Sequence, residues 1–138
     1  MIGRYRIERG RALTALPPRV RRGHRQDTRK HTRHCLRPTA AMVDAMLASP
    51  PAQRAAAFAA FEREYLALLA ARLRADRAPF DALRDLGLRG DVFLGCNCPT
   101  AKNPDVAHCH TVLALRFLQR EYPELDIELP RAATPPRR

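Results

Sequence analysis

The chain of 138 residues carries a formal charge of +11; it is long enough for one domain with its own apolar core and does not depend on disulfides. No apolar run approaches the roughly 18 residues of a membrane span. The first residues also lack the apolar stretch of a secretory signal, so a cytoplasmic protein with no membrane partner is expected. The charge is uneven: residues 1–37 hold twelve Lys or Arg against Glu8 and Asp27, residues 38–130 are nearly balanced, and the end adds Arg131, Arg137 and Arg138. This pattern divides the chain into a basic strand-and-arm segment 1–37, a body 38–130, and a basic tail 131–138 expected to be disordered.

Tyr5 and Ile7 alternate with Arg4, Arg6 and Glu8, which predicts a first strand. From Arg9 to Arg37 periodicity fades, and Pro17-Pro18, Gly23 and a run dense in Arg and His predict an extended or disordered arm. Arg19, Arg21, Arg22, Arg25, Arg29, Lys30 and Arg33 are the candidate phosphate contacts of that arm, which would bind nucleic acid through counterion release and without sequence preference. Aromatic residues do not interleave with them, so stacking on single-stranded bases is not expected there. A solvated basic loop, or a surface for an acidic protein partner, would have the same composition.

Thr39 is placed to cap a helix carrying Met42, Val43, Met46 and Leu47 on one side. Ser49 before Pro50-Pro51 opens the longest helix, to about Ala75, with Phe58, Phe61, Tyr65, Leu68, Leu69 and Leu73 forming one apolar stripe. Pro79 begins a further helix that Gly87 is expected to close. Val92-Phe93-Leu94 reads as a buried strand, a helix follows from about Asp105–Cys109 to Tyr122, and Leu125, Ile127 and Leu129 alternate as a second strand. Two strands flanking a helix make a β-α-β unit with parallel pairing. The fold class expected is therefore α/β: a small single domain with a short parallel or mixed sheet flanked by helices, plus the basic N-terminal arm.

The chemistry concentrates between the strand and the helix. Cys96-x-Cys98 followed by His108-Cys109-His110 offers five nitrogen and sulfur donors of the kinds zinc prefers. Four of them would close a tetrahedral site, and Cys35, beside His34, is another candidate ligand that would tie down the arm. The two-residue cysteine spacing departs from the usual C-x-x-C pair. A second reading makes the cluster a catalytic or anion-binding centre, since Cys109 and His110 stand where a helix N-terminus lowers a thiol pKa and attracts anions. Either Cys96 or Cys109 would then be the nucleophile, with His110 as base. A third reading has Cys96 and Cys109 as small buried residues that pack the strand end on the helix.

Leu94-x-Cys96-x-Cys98-Pro99, followed by Cys109-His110-x-x-Leu113, resembles a signature of two uncharacterised bacterial and phage families, the YeaO-like domain of unknown function and a related one ending in a Cys-His pair. Leu36-Arg37-Pro38-Thr39 and the Phe61, Tyr65, Leu69 series match further elements of the YeaO-like pattern, so the resemblance spans about residues 36–120. It implies an α/β domain in which Cys96, Cys109 and His110 matter, and it implies no reaction. The longer loop between Cys98 and Cys109 departs from the pattern, as does His108 before the Cys-His pair; the second departure favours metal over a bare thiol. Taken together, the expectation is a nucleic-acid- or nucleotide-associated protein with a Cys/His ligand or metal site. The alternatives are a small enzyme on a nucleotide or other anionic substrate, and an interaction domain. Zinc is the one cofactor indicated, and the oligomeric state is left open.

Overall fold

The computed structural model describes residues 1–131, so the expectation of a disordered tail falls almost entirely outside the described residues. Three parallel strands form the sheet: β1 (Ile2–Arg6), β2 (His24–Asp27) and β3 (Val92–Cys96), in the order β1-β3-β2. The expectation of a small α/β domain on a short parallel sheet holds. Strand β3 lies in the middle because it alone is apolar on both faces, and all five of its residues are buried. Gly95 pairs with Tyr5 on one side and Asp27 on the other. A Cβ at Gly95 would stand 2.7 Å from Ile7 Cδ1 and 2.8 Å from Tyr5 Cε1, so the Ile7 and Tyr5 side chains packed over it favour glycine there.

Five helices are present: α2 (Ala40–Leu47), α3 (Arg54–Ala75), α4 (Ala78–Arg89) and α5 (His110–Glu121) follow the expected order, whereas α1 (Pro18–Arg22) lies where an extended or disordered arm is expected. Thr39 caps α2 as its composition predicts, its Oγ1 accepting from the Met42 N–H at 3.2 Å. The side chains of α5 pack on β1 and β3, and α3 packs behind α5. Phe61, Tyr65, Leu69 and Leu73 are the buried face of α3, so the predicted stripe is core. On the other side of the sheet Phe93 lies under Gly23 and the Arg19 guanidinium, 5.5 Å from its ring centre.

Three expectations change. The segment 1–37 is not a free arm: it supplies two of the three strands, and Ile2 and Leu36 are fully buried. Strand β2, His-Arg-Gln-Asp, has no apolar alternation because it is an edge strand whose backbone, rather than its side chains, is what the sheet uses. Gly87 does not end α4. The helix runs on to Arg89, and Gly87 sits inside it against Ile2, where a Cβ would meet Ile2 Cγ1 at 2.6 Å. The predicted last strand is reduced to one parallel bridge, Ile127 to Ile2, held by Ile2 N–H to Asp126 O and Glu128 N–H to Ile2 O, both 2.9 Å. It therefore extends the sheet beside β1 rather than beside β3.

Helix α3 also holds the segment leading into α2 by its backbone. The Arg72 guanidinium donates to Cys35 O at 2.9 Å and to Arg37 O at 2.6 Å, and the buried Tyr65 hydroxyl donates to Leu36 O. Among the described residues, no helix is long and apolar enough to cross a membrane.

Candidate metal centre

The carboxyl ends of β2 and β3 face the N-terminus of α5, the position at which parallel sheets present ligand sites. Cys96 is the last residue of β3, Cys98 lies just beyond it, and Cys109 is the N-cap of α5. Two local devices bring the long loop back. The Thr100 and Asn103 backbones exchange hydrogen bonds of 3.1 Å in both directions, and Asp105 caps a short 3-10 turn over Val106–His108 by accepting from Ala107 N–H at 2.9 Å. Arg54 of α3 reaches across to hold Lys102 O at 2.7 Å.

The outcome is that the three sulfurs of Cys96, Cys98 and Cys109 all lie within 4.8 Å of one another, with no disulfide. His110 stands at the edge of the trio, with Nδ1 3.7 Å from Cys96 Sγ. Its tautomer follows from its other nitrogen. Thr28 is fully buried and its hydroxyl donates to Gly95 O at 3.0 Å, so its oxygen accepts from His110 Nε2–H at 2.8 Å. The proton therefore sits on Nε2, and the bare Nδ1 lone pair faces the sulfurs.

Donors surround the sulfurs. Asn103 Nδ2 donates to Cys98 Sγ at 3.3 Å. Arg4 Nε donates to Thr111 Oγ1 at 2.9 Å, leaving the Thr111 proton for Cys109 Sγ at 3.0 Å, and Arg4 Nη2 also holds Cys98 O at 2.6 Å. The trio titrates as a unit. Hydrogen bonds from Cys96 and Cys98 hold the Cys109 thiol well below the usual thiol range despite its burial. The same bonds push Cys96 and Cys98 up.

Cys96, Cys98 and Cys109 are brought together as the spacing predicts, with His110 beside Cys96. His108 is not. Its ring stacks on Phe58 at 4.3 Å, and its Nε2 lies 3.8 Å from Asp105 Oδ2. Cys35 also lies outside the trio; it packs on the core, and burial pushes its thiol up to about 11. As a nucleophile Cys109 is poorly placed, being only 1% exposed. Thr28, Arg4, Asn103 and Thr111 were not singled out from the sequence. Their partners lie far along the chain or in an irregular loop, and short polar residues carry no periodic signal.

The candidate phosphate contacts are largely engaged within the fold. Arg19 pairs with Glu128 at 2.6 Å, Arg29 with Asp27 at 2.8 Å and Lys30 with Asp44 at 2.6 Å. Arg25 donates to Arg21 O at 2.8 Å, and Arg21 to Thr14 O at 3.4 Å. Arg22 and Arg33 make neither an ion pair nor a side-chain hydrogen bond among the described residues.

A cavity of about 530 Å³ opens beside the thiol trio. Cys96, Cys98 and His110 stand on its wall, and Cys109 does not. No protein-family model, no curated protein and no solved structure matches the chain.

Proposed function

We propose that the protein binds one zinc ion through Cys96, Cys98, Cys109 and His110 Nδ1, and that the loop so fixed presents a pocket to a nucleotide or other phosphate-bearing partner. The observation that carries the reading is the convergence of three thiol sulfurs within 4.8 Å at the end of the central strand. Ideal tetrahedral zinc, with Zn–S about 2.3 Å and Zn–N about 2.0–2.1 Å, separates two sulfurs by ~3.8 Å and a sulfur from a nitrogen by ~3.6 Å. The 3.7 Å between His110 Nδ1 and Cys96 Sγ is already at that spacing. Soft sulfur donors with one imidazole, and no carboxylate in the set, select zinc over the hard cations. Three thiolates around a divalent ion leave one net negative charge, which the nearby Arg4 and Arg29 guanidinium groups offset. The hydrogen bond that His110 Nε2–H donates to Thr28 Oγ1 is the outer contact that zinc-bound imidazoles require. Cys96, Cys109 and His110 are also the motif residues that carry the resemblance to YeaO-like domains.

Native mass spectrometry with metal analysis, on untagged protein purified under reducing conditions, tests this. One equivalent of zinc is expected, lost in Cys98→Ser, and chelation is expected to lower the melting temperature because metal binding is coupled to folding. Less than about half an equivalent of any metal would overturn the reading.

A further inference from the structure

We infer that the cavity beside the thiol trio binds a nucleoside monophosphate. The inference rests on the zinc reading in one respect: metal bound at Cys98 and Cys109 holds between them the loop that carries Lys102 and Asn103. The cavity's volume, about 530 Å³, lies within the range of about 300–1,000 Å³ typical of small-ligand sites. Arg29, Lys30 and Lys102 line it, and no Asp or Glu does. Arg29 and Lys30 hold Asp27 and Asp44, neither of which lines it, while Lys102 makes no ion pair among the described residues. A neighbouring cavity of about 860 Å³, across the Thr100–Asn103 turn, is lined by Asp44 and Asp105 as well as by basic residues. Lys30 and Lys102 line both cavities, and the one without a carboxylate on its wall is the better seat for an anion.

The rest of the ligand is read from the walls. Pro38, Val43 and Leu47 give the cavity an apolar side suited to a planar heterocycle rather than to a bare sugar. Asn103 supplies the polar requirement. It lines the cavity, it is 2% exposed, and its Oδ1 is the one buried side-chain oxygen without a hydrogen-bond partner among the described residues. The amide cannot be reversed to cure this, because Nδ2 donates to His108 O at 3.2 Å and to Cys98 Sγ at 3.3 Å. Asn103 lines this cavity and its neighbour, and its buried, unpaired Oδ1 would accept from a ligand N–H, such as the amino or ring N–H of a nucleobase, once the turn yields to admit it. No Phe, Tyr or Trp lines the cavity, and of its two imidazoles His110 is buried beside the sulfurs, which leaves His31 without a second ring on which a successive base could stack. That sets a single nucleotide above a nucleic-acid strand.

Isothermal titration calorimetry on the full zinc-loaded chain tests the inference, with AMP, GMP, CMP, UMP, their nucleosides and inorganic phosphate. At least one monophosphate is expected to bind at least about tenfold more tightly than both its nucleoside and inorganic phosphate. Lys102→Glu is expected to weaken it by about tenfold or more, and Ala101→Trp, at an exposed position on the cavity wall, to abolish it. Neither substitution touches the sulfurs, so zinc content, measured in the same samples, stays whole. Binding of none of the four monophosphates, equal binding of inorganic phosphate, or affinity unchanged in both variants would overturn the inference. Tighter binding of a single-stranded oligonucleotide that survives Ala101→Trp would do so too. Full zinc without nucleotide binding sinks this inference alone, whereas nucleotide binding by protein that purifies without metal sustains it while the missing metal sinks the zinc reading.

Discussion

Thr28→Val removes a single hydroxyl from a fully buried site and keeps the side-chain shape. Thr28 Oγ1 joins Gly95 O at 3.0 Å to His110 Nε2 at 2.8 Å. Gly95 O retains the Thr28 backbone N–H at 3.2 Å, so the group left stranded is the Nε2–H of the buried His110. An unsatisfied buried donor costs about 1–3 kcal/mol. The imidazole avoids that cost by turning its ring or by moving its proton to Nδ1, and either withdraws the lone pair from the sulfurs. Loss of an outer-shell partner to a metal-bound histidine typically costs about 10–100-fold in metal affinity, equivalent to about 1.4–2.7 kcal/mol. The two routes agree, so zinc affinity in Thr28→Val should fall about 10–100-fold. Competition against a chromophoric zinc chelator would measure it, with Thr28→Ser, which keeps the hydroxyl, expected to stay near wild type. If Thr28→Val holds zinc within about threefold of wild type, or if Thr28→Ser loses as much, then the hydroxyl does not position His110.

Other substitutions probe the scaffold. Gly87→Ala would place a methyl group 2.6 Å from Ile2 Cγ1 and 3.1 Å from Leu125 Cδ2. The overpacking cost of about 1–3 kcal/mol should exceed the roughly 0.5–1 kcal/mol gained in helix propensity, giving a lower urea midpoint. Tyr65→Phe, in the core, should cost about 1–3 kcal/mol in the same assay because Leu36 O loses its buried donor. His34 is held neutral: Nε2 donates to Gln26 Oε1 at 2.6 Å, Nδ1 accepts from Leu36 N–H at 3.0 Å, and burial, helped by the proximity of His110, pulls its pKa down to about 4 from 6.5. The unfolded chain therefore binds the proton first. The associated stability is present above pH 6.5, is lost as pH falls toward 4, and amounts to on the order of 3 kcal/mol. Denaturant titrations of metal-free protein across that window should show the loss, and His34→Gln should flatten it.

The parts of this protein that were legible in its sequence are those in which local pattern and tertiary role coincide. Val92-Phe93-Leu94 is apolar because β3 is buried on both faces, and the α3 stripe is regular because one side of that helix is core. Cys96, Cys98, Cys109 and His110 stood out because their side-chain chemistry is rare and their spacing close. His108 shared that spacing, but it is committed to Phe58 and Asp105, and spacing alone does not say which way a side chain in a 3-10 turn faces. Strand β2 escaped notice because its pairing to β3 is made by backbone, beneath side chains that read as a charged loop. Arg4 and Thr28 reach Cys98 and His110 across 94 and 82 residues of sequence, a distance no window spans. Part of the positive charge of residues 1–37 is paired from outside that segment, Arg19 by Glu128 and Lys30 by Asp44, while the contacts of Arg21 and Arg25 are to uncharged carbonyls and leave the excess charge in place.

The three carbonyls of Cys35, Leu36 and Arg37, held from α3 by Arg72 and Tyr65, have a consequence for how this chain tolerates change. Recognition there is addressed to main chain, which every residue possesses. The path of the segment into Pro38 and the cavity wall is thus encoded some 35 positions downstream, in two side chains of a helix, rather than in the segment itself. This grip does not read the side chains of Cys35 and Arg37, although Cys35 also packs on the core, whereas Arg72 and Tyr65 each stand surety for a stretch of backbone they never adjoin. Comparing chains by side-chain identity along 35–37 would overlook this dependence, because the constraint lies on the residues that grip rather than on those that are gripped.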